Sequence, residues 1–184
     1  MHHIKNDKRT LQSADLLYQG LLACLKEKPL AEVTVTDLQR ASGVARSTFY
    51  RSFDDVGDVL AWQCDLGFHE ALCGWRPPEF TGELDLARHF FSYWASHSEV
   101  LELLIRANRH DIVYGSHLRN AALLERRYGE LPGLPREQRR YFMAIRTGVL
   151  IGVLTAWLDG GRRESADELV GIVGGQLQMM VASK

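Results

Sequence analysis

Apolar residues recur at three- and four-residue intervals along almost the whole chain, and no stretch alternates with period two between hairpin turns. That is the spacing of helices that each bury one face. From 8 to 26, Leu11, Leu17, Leu21, Leu22 and Leu25 form one such stripe. Pro29 closes it, because the residue before a proline disfavours the α region. Leu30 and Val33 lead into two short helices within 34–53. A long helix then runs from about 55 towards Trp75, carrying Val59, Leu60, Trp62, Leu66 and Leu72. Asp54 or Asp55 caps its start, Arg76-Pro77-Pro78 stops it, and Thr81-Gly82 marks a loop. Further helices are expected at about 83–97, 99–107 and 111–128, then a break at Leu131-Pro132-Gly133-Leu134-Pro135. The last two, at about 136–158 and 165–181, are separated by Asp159-Gly160-Gly161. The pattern predicts an all-α fold of about nine helices.

Residues 34–53, TVTDLQRASGVARSTFYRSF, hold the most specific information. Thr34 and Asp37 have the spacing of a capping box, in which the threonine oxygen accepts a backbone N–H and the acid sits in the first turn. Leu38 and Ala41 lie three apart and are expected to share the buried side of the first helix. Gly43 ends it, since glycine tolerates the left-handed backbone of a helix C-terminus. Val44 fills the corner, and a second helix over 45–53 turns Phe49 and Phe53 inward. Arg46, Ser47, Tyr50 and Arg51 then fall on its outer face. A short helix with a basic, polar outer face after a glycine turn has the form of a recognition helix for the major groove. An ordinary helical corner with a solvated face has the same outline.

The order of residues goes further. TVTDLQRASGVARSTFYRSF resembles the N-terminal signature of the tetracycline-repressor (TetR) family of bacterial regulators, approximately T-V-x-D-[IL]-x-x-x-[AS]-G-V-[SA]-x-[GS]-T-[FL]-Y-x-x-F. The resemblance implies a three-helix helix-turn-helix DNA-binding domain over 1–54 and a helical ligand-binding and dimerisation domain over 55–184. The implied DNA-contacting set is Thr34, Thr36, Ala45, Arg46, Ser47, Thr48, Tyr50 and Arg51. Within it Arg46 is the candidate for a guanine edge, because a guanidinium can bond O6 and N7 together. Thr48 and Tyr50 match the family's phosphate-contacting positions, a role that needs only a hydroxyl. Thr34 and Thr36 stand at a helix N-terminus, where exposed N–H groups also favour phosphate.

One position departs from the family pattern. The lysine that usually follows as Y-x-x-F-x-x-K is Val56 here, inside Asp54-Asp55-Val56-Gly57-Asp58. Val56 is no phosphate ligand, and the acids are suited to the N-terminus of the helix they precede.

The resemblance also bears on the C-terminal helices. TetR-like proteins dimerise through their last two helices, and GVLIGVLTAWLDGG is similar to a TetR subgroup whose Gly-rich helix ends in W-L-x-x-G. Gly148, Gly152 and Gly174 would permit close packing there, with Ile145, Val149, Val153, Ile172, Val173 and Leu177 as apolar surface. On pattern alone, these helices read equally well as the interior of one core.

Composition changes this picture little. A formal net charge of −1 announces no nucleic acid. Residues 1–53 carry eight Lys/Arg against five Asp/Glu, the sign expected of a DNA-binding end. Cys24, Cys64 and Cys73 form no C-x-x-C pair and suggest a reducing cytosol, with neither disulfide framework nor zinc site. No basic-then-apolar leader and no run near the ~20 residues of a membrane span are read, so the expected location is cytoplasmic. His2-His3 stands outside the fold argument.

In the central helices, aromatics more often serve a core than a cavity. The family builds a small-molecule cavity there, and Trp94, His97, Arg106, His110 and Tyr114 are the expected lining. No cofactor and no metal site are expected. His89, His97, His110 and His117 lack the spacing that would set two on one helical face, and no phosphate loop or nucleophile elbow marks an enzyme. The sequence therefore reads as a dimeric DNA-binding regulator, most often a repressor, acting on a near-palindromic double-stranded operator under a small-molecule effector. The alternative is a DNA-binding or interaction protein of the same fold without such a ligand.

Overall fold

Helix caps and one glycine corner set the architecture of the N-terminal end. In the computed structural model, which describes residues 2–4, 7–73, 83–128 and 135–182, α1 (Lys8–Leu25) opens on Asp7, whose carboxylate accepts from Thr10 N. The chain leaves α1 at Lys26, three residues before Pro29, which instead begins a 3₁₀ turn at Leu30–Glu32. Then come α2 (Val35–Ser42) and α3 (Arg46–Ser52). Leu17, Leu21, Leu38, Phe49 and Phe53 are buried together as the core of this three-helix head. Gly20 allows its tightest contact, since a Cβ there would stand 2.8 Å from Ser42 Cβ. Ala41, expected inside with Leu38, is exposed, because α1 covers only the Leu38 side of α2.

The body follows as α4 (Gly57–Cys73), α5 (Glu83–Ser96), α6 (Glu99–Arg106), α7 (His110–Tyr128), α8 (Arg139–Asp159) and α9 (Ala166–Ala182). Among the described residues there is no strand. The acids around Val56 act as caps. Asp58 Oδ2 accepts from the backbone N–H of Asp54 at 2.9 Å and Asp55 at 3.1 Å, while Asp55 Oδ1 accepts from Asp58 N at 3.0 Å. Asp58 N is one of the orphan donors at the start of α4, and the other two N–H groups belong to the turn that precedes it. Ser165 and Glu168 make the equivalent box before α9.

Helix α4 packs on α7, α5 on α9, and α7 on α8. Phe68, Phe90, Trp94 and His117 cluster inside, with Phe68 stacked on Phe90 and edge-on to Trp94 and His117, centred 4.8 Å from Trp94 and 5.3 Å from His117. Cys24 and Cys64 are free and buried, and burial pushes the Cys64 thiol up to about 12. The expected stop at 76–78, the loop at 81–82, Trp75, most of the break at 131–135 and the Cys73 side chain lie outside the described residues.

Two expectations need correction. His2 and His3 belong to the fold. His3 N donates to Ser52 O at 2.8 Å, and His2 Nε2 lies 2.8 Å from Asp65 Oδ2. Burial alone would raise Asp65, but hydrogen bonding to His2, Ser116 and Arg119 holds it below the usual carboxylate range. The second concerns α8, which is long and apolar enough to cross a membrane by length and composition. Its apolarity has another account here. Thr147, Leu150, Ile151, Leu154 and Trp157 are buried against neighbouring helices, while other apolar positions emerge on the opposite side.

Candidate functional site

The α2–α3 corner is built by three local devices. Thr34 and Asp37 close a full capping box, with Asp37 N donating to Thr34 Oγ1 at 3.2 Å and Thr34 N to Asp37 Oδ2 at 2.9 Å. Gly43 takes φ 70° and accepts no penalty for it. Phe49 and Phe53 then anchor α3, packed 5.8 Å apart with 1 % and 0 % exposure. Anchoring one face fixes the other. Arg46, Ser47, Tyr50 and Arg51 all stand in solvent, with Thr48 half-buried and Ala45 exposed as the residue before the helix.

Within that face Arg46 and Tyr50 are already associated. Arg46 Nη2 donates to Tyr50 Oη at 3.2 Å, and the guanidinium sits 5.4 Å from the ring centroid. Both are exposed, so this weak pairing is readily exchanged for another partner. Thr36 is exposed, whereas the Thr34 hydroxyl donates to Asp37 at 2.6 Å. Lys28 adds a 2.6 Å ion pair to the same carboxylate and, with the Thr34 bonds, holds Asp37 far below the ordinary range. Capping thus engages the Thr34 proton that a phosphate contact would use.

A cavity of about 170 Å³ lies between α4, α5, α7, α8 and α9. Its wall is apolar, with Leu72, Phe90, Phe142, Val149 and Val173, and its polar groups come from His117 and Arg146. His117 Nδ1 is 2.9 Å from Thr147 Oγ1, and both side chains are buried. Burial, with Arg146 nearby, drives the His117 imidazole down to about 3, so it is neutral across the ordinary pH range. Neutral imidazole presents a donor and an acceptor, the kind of handle that orients a ligand in an apolar hollow.

The expected pocket residues do not line this cavity, and they do not converge. Trp94 is fully buried and His97 exposed, and both border a separate hollow beside α1. Arg106 has an 80 % exposed side chain and borders the groove between α6 and the head. His110 opens α7 in solvent, and Tyr114 is 36 % exposed. Helical phase explains the split, since these residues lie on different faces of α5, α6 and α7. Phe142 and Arg146 were missed because α8 read as a dimerisation helix or a core helix, and neither reading turned its residues towards a ligand. His117 was weighed only as a metal ligand. Its inward phase with Val113 and Ala121, one turn to either side, was the available signal.

The last two helices carry an uncovered apolar strip. Tyr141 (57 % exposed), Ile145 (66 %), Gly148 and Gly152 run along α8, and Ile172 (48 %) and Met179 (56 %) along α9. A Cβ on Gly148, Gly152 or Gly174 would meet nothing within 4 Å. Val173, expected on this surface, is buried at 7 % and belongs to the cavity wall instead.

The structure is similar to the crystal structure of a TetR transcriptional regulator from Streptococcus agalactiae 2603V. The TM-score is 0.60 at 17 % sequence identity, over 91 % of this chain and 94 % of that one. The chain therefore has a TetR-like, all-α fold. It matches no protein-family model and no curated protein.

Proposed function

We propose that this chain is a cytoplasmic, homodimeric DNA-binding transcriptional regulator, a repressor whose grip on a near-palindromic operator is altered by a small-molecule effector. The observation that carries the proposal is the outer face of α3, where Arg46, Ser47, Tyr50 and Arg51 are exposed on a helix pinned from behind by Phe49 and Phe53. A helix so mounted enters a major groove with its orientation already fixed, and Arg46 supplies the planar fork that reads guanine. Thr48 and Tyr50 take phosphate. The head excess of positive charge favours approach without adding specificity.

One such head reads only a few base pairs. The uncovered apolar residues of α8 and α9 support pairing with a second copy, because a monomer rarely leaves Ile145, Ile172 and Met179 all in water. The effector would occupy the cavity at His117, whose walls include residues from α8 and α9 as well as α4. Occupancy then shifts the population between dimer arrangements in which the two recognition helices do and do not match successive grooves. Selection of bound sequences from random duplexes by the purified protein tests the reading. The expected product is a near-palindrome with half-sites about one helical turn apart, and recovery of no enriched sequence would end it.

A further inference from the structure

The cavity between α4, α5, α7, α8 and α9 has a size and a chemistry that narrow what can fill it. Its volume of about 170 Å³ is close to the ~150 Å³ at which an engineered protein cavity accepts benzene. Phe90, Phe142, Val149 and Leu177 supply apolar wall, so the body of an occupant is apolar and about the size of one six-membered ring.

The polar end is set by the hydrogen bonding of His117. Its Nδ1 lies 2.9 Å from Thr147 Oγ1, and Thr147 is fully buried. Among the described residues the Thr147 hydroxyl has no other acceptor, so its proton goes to Nδ1. The ring proton of the neutral imidazole then sits on Nε2, which is a donor. Nε2 itself has no hydrogen-bond partner among the described residues. It is not sealed, unlike Trp94 Nε1 and Gln63 Oε1, and the 1 % of His117 surface that stays open falls on the cavity.

The charge around that donor is one-sided. Arg146 stands on the cavity wall, near enough that its charge helps to keep His117 neutral. It precedes Thr147 on α8, so the helix that orients the imidazole also delivers the guanidinium. No carboxylate lines the cavity among the described residues. An N–H donor and a guanidinium at the end of an apolar hollow favour an anionic acceptor, because charge-assisted hydrogen bonds are the stronger kind.

On the reading that this cavity is the effector site, we infer that it binds a small apolar monocarboxylate of benzoate size. The carboxylate accepts from His117 Nε2–H and meets Arg146, while the ring lies against the apolar wall. One ligand group is then held by α7 and α8 together, and α8 is the helix that leaves Ile145 uncovered.

The test uses the full-length protein and three compounds of one shape, the anion benzoate, neutral benzamide and cationic benzamidine, titrated by calorimetry. His117 Nε2, assigned with His117→Gln, is followed by nitrogen-15 NMR. Benzoate should bind about tenfold more tightly than benzamide and should shift the Nε2 resonance, and millimolar benzamidine should not bind. Arg146→Gln should bring benzoate down to the level of benzamide and leave benzamide unchanged, whereas a merely structural loss would weaken both. Equal affinities of the wild type for benzoate and benzamide, an Nε2 resonance that benzoate does not move, or no binding by millimolar benzoate would each overturn the inference. Benzoate that binds as expected but leaves the affinity for the selected duplex unchanged would sink the effector role alone.

Discussion

Arg46 bears the specificity in this account, and its neighbour Tyr50 does not. Arg46→Ala should weaken binding to the selected duplex by about 1–3 kcal/mol and relax preference at one base pair per half-site. Competition against randomised half-sites measures this, and equal losses on specific and random DNA would reassign Arg46 to phosphate. Tyr50→Phe should weaken all sequences alike, a loss visible in the same assay as unchanged base preference. His117 makes a separate claim, about pH. Its folded value is depressed to about 3 by burial and by Arg146. Below the unfolded value of ~6.5, the unfolded chain therefore takes a proton that the folded chain refuses. The stability tied to His117 is complete above ~6.5 and declines as pH falls towards the folded value, by about 2 kcal/mol between roughly pH 7 and pH 5. Urea unfolding at those two pH values should show the decline in the wild type and a smaller one in His117→Gln. Identical declines would mean that the imidazole is not held neutral by the fold.

At the scale of elements, the corner between α2 and α3 rests on a single backbone conformation. A Cβ on Gly43 would meet nothing within 4 Å, yet φ is 70°. The cost of Gly43→Ala is therefore conformational, about 1–2 kcal/mol, and Gly43→Asn should cost less because asparagine tolerates this region better. Thermal unfolding of the two variants checks the order, and equal costs would point to packing instead. This corner was legible in the sequence because capping box, glycine and inward phenylalanines are all local signals. The same holds for α4 to α9, whose periodic spacing and breaks predicted elements close to those observed. Local signals could not supply phase between helices. Ala41 turned outward because α1 covers only one side of α2. Trp94, His97, Arg106, His110 and Tyr114 scattered because being central in the chain does not make residues face the same space. The docking of His2 on Asp65 joins positions 63 apart, and no sequence pattern carries such a contact.

For the whole molecule, the claim is that two copies pair through α8 and α9 to hold two α3 helices one groove apart. The Gly-rich pattern of these helices was readable, but not which of their residues face outward, since Val173 turned into the cavity while Ile172 stayed exposed. The informative substitution is therefore Ile172→Glu, which places a charge on the open strip and leaves the core untouched. A dimer of this kind buries more than ~2,000 Å² in total, and an unpaired carboxylate desolvated within it on each copy opposes association by several kcal/mol. The most direct measurement is sedimentation of wild type and Ile172→Glu, each alone and with the selected duplex, at micromolar protein. The account predicts a wild-type dimer that binds as two chains per duplex, and a folded Ile172→Glu monomer whose specific binding is lost. A wild-type monomer that binds the palindrome tightly, or an Ile172→Glu monomer with undiminished affinity, would contradict it.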